Sequence, residues 1–173
     1  MRILTISVIM ILTFIFETTL ARYIAIFGIS PDITILIIVS FAILRYELEG
    51  ALIGFFAGLL IDLFSGSTLG INALLYLIIG YFSGKPFKEF YAENYFFPLL
   101  LVGIATFFYN FAYYVIHFLL RARLDFFHYF FAIMLPSTLY TMALSVPFYI
   151  FIYLINRKLE AHEKSHRRLF GKD

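Results

Sequence analysis

Six apolar runs make up most of the chain, separated by short polar interruptions, and each predicts a helix: about 3–21, 33–44, 48–64, 69–83, 95–120 and 130–155. A helix needs roughly 20 apolar residues to cross a bilayer. The first run exceeds the roughly 7–15 apolar residues of a signal peptide, and five more follow it, so it reads as an uncleaved anchor. Pro31-Asp32 opens the second run, where proline suits a first helical turn. At 33–44 that run is short, which predicts little tilt or local thinning of the bilayer. Ser65-Gly66-Ser67-Thr68 predicts a tight turn, with Ser67 or Thr68 available to cap the fourth helix. Pro136 and Pro147 lie inside the sixth run and predict a kink or break there. The expected architecture is an all-α membrane protein, a six-transmembrane-helix bundle spanning 1–155 with a basic cytoplasmic tail at 156–173.

Composition narrows the class. Hydrophobic residues form 62% of the chain and charged residues 14%, with a mean hydropathy of +0.92. Soluble domains carry roughly 45–50% apolar and about 25% charged residues. The apolar runs leave no room for a separate soluble domain of ordinary size. The absence of cysteine excludes disulfides, thiolate metal sites and a cysteine nucleophile. Six crossings put both termini on one side. That side then holds Arg2, Arg45, Lys85, Lys88, Arg157, Lys158, Lys164, Arg167, Arg168 and Lys172, against Arg22, Arg121 and Arg123 on the other. The imbalance orients the termini toward the cytoplasm.

Within this frame one stretch stands out. Gly50, Gly54 and Gly58 recur every four residues, with Asp62 on the next step. Residues four apart on a helix stand one above another, so the glycines form a bare seam. In lipid such seams let a second helix, from the same bundle or from a partner's single anchor, approach closely, because acyl chains give helices no hydrophobic reason to associate. Asp62 is expected to fix the register of that contact. Near a helix C-terminus it is opposed by the macrodipole, which predicts a cationic or hydroxyl partner such as Arg22, Arg121 or Arg123.

At about 1.5 Å per residue, Glu17, Asp62 and Asn110 each fall roughly 21 Å from the inner start of their helices. Asp32, Asn72 and the Ser137-Thr138 pair, on helices entering from outside, reach the same half. All are expected to face the bundle interior, as an outer polar layer, or to supply interhelical hydrogen bonds. His117 and His128 are isolated, and His162 and His166 flank Glu163 without the HExxH order of a metalloprotease. No phosphate loop, GxSxG or paired nucleophile and base appears, which argues against an enzyme, and no metal or cofactor is expected.

Pro31-Asp32, the charged Arg45–Glu49 turn, LEGALIGFFAGLLIDLFSGSTLGINAL at 48–74 and LLYLIIGYFSG at 74–84 together resemble the rod shape-determining protein MreD family. The likeness is specific over 31–84 and rests on hydropathy beyond. It implies a scaffold subunit in the bacterial inner membrane, part of the cell-elongation complex that supports lateral peptidoglycan synthesis. The implied partners are MreC and, through it, the MreB filament and the RodA–transpeptidase pair, with no nucleic acid. It also implies a fold akin to the substrate-binding subunits of energy-coupling-factor transporters. The competing function is a small-molecule-binding uptake subunit using the outer polar layer as its pocket.

Overall fold

The computed structural model describes residues 2–19, 25, 29–65, 69–85, 96–117 and 126–170, with the side chains of 2–9, 65, 96, 117, 151 and 154–170 left aside. The helices in chain order are α1 (Arg2–Thr19), α2 (Ile33–Arg45), α3 (Glu47–Ser65), α4 (Ile71–Gly84) and α5 (Phe96–His117). A short α6 (Phe126–Tyr129) then runs through a π-helical segment, Phe130–Met134, into the long α7 (Leu135–Phe170).

The shortest of the apolar runs is the centre of the molecule. Every residue of α2 except Leu44 is buried, and the helix packs against α1, α3, α4, α5 and α7. A helix apolar all round is stable only where protein or lipid covers every face, and here protein does. Its 13 residues span only about 20 Å, so α2 is enclosed by longer neighbours. Asp32 caps it: a carboxylate oxygen accepts from the Ile35 amide at 3.0 Å. Pro31 precedes that cap instead of occupying the first turn.

Phe97–Ile116 and Phe126–Ile150 are long and apolar enough to cross a membrane, whereas Met10–Thr19, Ile33–Arg45 and Ile71–Gly84 are apolar but shorter. Large apolar side chains cover the outer faces, among them Leu52, Phe56 and Leu63 on α3 and Phe107, Phe108 and Phe111 on α5.

The predicted break near Pro136 takes a specific form. Proline has no N–H to donate and clashes with the preceding turn. The helix widens just before it, and the Leu135 amide bonds to the Phe130 carbonyl, five residues back. Helix α7 runs on through Pro147 and continues past Asn156 to Phe170.

Candidate functional site

The glycine seam of α3 lies against α4 of the same chain. A Cβ added at Gly58 would sit 2.5 Å from Ala73 Cα, and one at Gly54 would sit 2.6 Å from the Tyr76 carbonyl carbon. A Cβ at Gly50 would sit 2.7 Å from the Gly80 carbonyl oxygen, and at the far end one on Gly84 would sit 2.5 Å from Glu47 Cα. The two backbones therefore touch along the whole hairpin, which is the most extensive helix pair in the molecule. Small residues on both helices permit this approach. Sequence reasoning picked out only the α3 half; Ala73, Gly80 and Gly84 complete it, and their spacing of seven and four residues carries the same signal.

Asp62 is 1% exposed and sits where α3 ends and α4 begins. Its carboxylate accepts from the Gly70 amide at 2.9 Å, the Ala73 amide at 3.1 Å and the Asn72 amide at 3.3 Å. The Asn72 side-chain nitrogen adds a fourth donor at 2.8 Å. Among the described residues, the start of a neighbouring helix supplies these donors. The N-terminal amides of a helix are unpaired within it and carry partial positive charge, so they suit a carboxylate. Gly70, at φ 97°, occupies the cap position without a capping side chain, and Asp62 reaches across from α3 to accept from the amides there. Ser67, Thr68, Arg22, Arg121 and Arg123 lie outside the described residues.

From Asp62 a polar chain crosses the bundle. Asn72 Oδ1 accepts from the Tyr109 hydroxyl on α5 at 2.9 Å. The Tyr109 ring stacks on Tyr76, centroids 4.9 Å apart, and the Tyr76 hydroxyl reaches Asp32 at 3.5 Å. The Asp32 amide donates to Thr141 Oγ1 on α7 at 3.2 Å, and that hydroxyl donates to the Ser137 carbonyl at 2.8 Å. Thr34 on α2 donates to the carboxylate of Glu17 on α1. Six helices, α1 to α5 and α7, thereby contribute polar groups at one end of the bundle. Thr34, Tyr76, Tyr109 and Thr141 belong to this layer and were not singled out in the sequence. Each lies within four residues of one that was.

Beside the chain is a cavity of about 280 Å³ lined by Glu17, Asp32, Asn110 and Ser137 together with Ile29, Ser30, Pro31 and Ile133. Four of the predicted polar-layer residues thus meet at one space. Asn72 does not line it and is bound to Asp62 instead. Among the described residues, no group of three or more acidic or histidine side chains is arranged to hold a metal ion.

An all-helical bundle with an apolar exterior and one internal polar layer is the architecture of an integral membrane protein. The match to known families agrees: residues 1–159 fit the family model of the rod shape-determining protein MreD. The chain belongs to that family, and with it to the membrane proteins of the rod-shape system. No curated protein and no solved structure matches the chain.

Proposed function

We propose that this chain is a non-catalytic scaffold of the bacterial cell-elongation complex, supporting lateral peptidoglycan synthesis and cell shape through MreC. The observation that carries the reading is the family match over residues 1–159. MreB and the RodA–transpeptidase pair are the further partners that such membership suggests. In this reading the six apolar runs cross the inner membrane as a bundle of the energy-coupling-factor substrate-binding type, with both termini cytoplasmic. The distribution of Lys and Arg supports that orientation.

The geometry supports a rigid platform. In our reading the Gly50, Gly54 and Gly58 face locks α3 to α4, and Asp62 sets the register of that pair. A partner's anchor would then meet the apolar exterior and not the seam. The test is co-purification with a tagged MreC from bacterial membranes, together with shape rescue in rod-shaped cells lacking their own family member. Co-elution and restored rods are expected. MreC eluting alone from cells that stay round, with this protein present in the membrane, would overturn the reading. A second reading, an uptake subunit for a small molecule, draws support from the polar cavity.

A further inference from the structure

We propose that the cavity between Glu17, Asp32, Asn110 and Ser137 is a binding site for a small organic amine carrying positive charge; this deepens the pocket reading above and rests on it. The size of the space suits such a ligand. A volume of about 280 Å³ would hold about nine waters at about 30 Å³ each, which is ample for a short amine and too roomy to cage a bare ion.

Charge points to a cation. Glu17 comes from α1 and Asp32 from the start of α2, so two carboxylates from separate elements face one open cavity. Their hydrogen-bond donors are neutral: the Thr34 hydroxyl for Glu17, and the Ile35 amide and Tyr76 hydroxyl for Asp32. Among the described residues no Lys or Arg lines the space. Charges repel more strongly out of water, and burying them is expensive unless they are paired. A cation between the two carboxylates would relieve both effects.

The lining also holds unused hydrogen-bonding capacity. Ser137 is 7% exposed and lines the cavity. Its carbonyl accepts from Thr141, but its hydroxyl has no hydrogen-bond partner among the described residues. The Asn110 amide nitrogen donates to the Thr106 carbonyl at 3.0 Å, leaving its side-chain oxygen to accept from a ligand N–H. Ile29 and Ile133 supply apolar wall for a carbon skeleton. The π-helical segment Phe130–Met134, which carries the lining residue Ile133, ends shortly before Ser137, and such segments recur at functional sites.

The experiment uses the full chain in phosphatidylcholine nanodiscs and radiolabelled 1,4-diaminobutane, with empty discs subtracted. Saturable binding is expected, displaced by excess unlabelled diamine and not by 1,4-butanediol, its neutral analogue. Glu17→Gln and Asp32→Asn should each weaken binding about tenfold or more, the loss expected for a hydrogen bond between charged groups. Asparagine caps helices as well as aspartate, so Asp32→Asn keeps α2 capped. Ser137→Leu should narrow the space and weaken binding, and elution volume with melting temperature establishes that each variant is folded. Should Glu17→Gln not fold, Asp32→Asn and Ser137→Leu decide. Binding no greater than to empty discs would overturn the site, as would binding unchanged in folded Asp32→Asn and Ser137→Leu, and equal displacement by butanediol would overturn the amine. Binding without accumulation in proteoliposomes supports the site and removes only the uptake function, while absence of binding leaves family membership and the scaffold reading standing.

Discussion

Adding one methyl group at Gly58 probes the contact on which the α3–α4 hairpin depends. The new Cβ of Gly58→Ala would lie 2.5 Å from both Cα and N of Ala73. Carbon atoms rest about 3.5–4.0 Å apart, so α4 must retreat by about 1 Å, since backbone atoms cannot rotate aside. That retreat carries the Ala73 amide, now 3.1 Å from Asp62, beyond the reach of a hydrogen bond. Overpacking costs about 1–3 kcal/mol, and losing one hydrogen bond to a charged acceptor about 1.5–3 kcal/mol. The better helix propensity of alanine offsets about 0.5–1 kcal/mol. The net loss is about 2–5 kcal/mol. Gly103→Ala is the control, because its Cβ meets only the flexible side chain of Met142, which can repack. Its effect should stay within about 1 kcal/mol. Reversible unfolding in mixed micelles, followed by far-UV circular dichroism, measures both. Gly58→Ala as stable as the wild type, or Gly103→Ala the more damaging of the two, would refute the backbone-contact argument.

Other perturbations test the remaining parts. Asp62→Ala strands the Gly70, Asn72 and Ala73 amides and the Asn72 side-chain nitrogen; at about 1–3 kcal/mol per buried orphan it should cost more than Asp62→Asn, with faster hydrogen exchange in the first turn of α4. Asp32→Ala removes the α2 cap and should cost about 1 kcal/mol, visible as faster exchange at Ile35. Pro136→Ala restores an N–H that can close a regular turn; the π-helical segment should tighten and turn Tyr129 away from Tyr114, whose rings now lie 5.0 Å apart, a change detectable in near-ultraviolet dichroism. Deleting 157–173 should leave the remainder in the membrane fraction while lowering recruitment of cytoplasmic partners in pull-downs, and unchanged recruitment would remove any role for the basic tail.

The apolar runs, their polar punctuation and the four-residue glycine spacing could be read directly, because hydrophobicity and helical periodicity are local properties of a chain. Family membership was legible for the same reason: it resides in the stretch 31–84, where spacing and residue type coincide. What needed three dimensions was which surfaces meet. The run 33–44 looked like an undersized crossing, yet α2 is the hub, because a uniformly apolar helix carries no stripe to say what covers it. Asp62 read as an acid that needs a partner, without showing that backbone amides would serve it. Folding the hairpin brings it against free amides that exist only once α4 has formed, and no residue pattern announces a backbone donor. The sequence by itself therefore determined where the helices lie and that their polar groups share one end. Only tertiary structure decided that α4 fills the glycine seam, that Asn72 serves Asp62, and that Glu17, Asp32, Asn110 and Ser137 line a common space, since each depends on contacts between residues far apart in the chain.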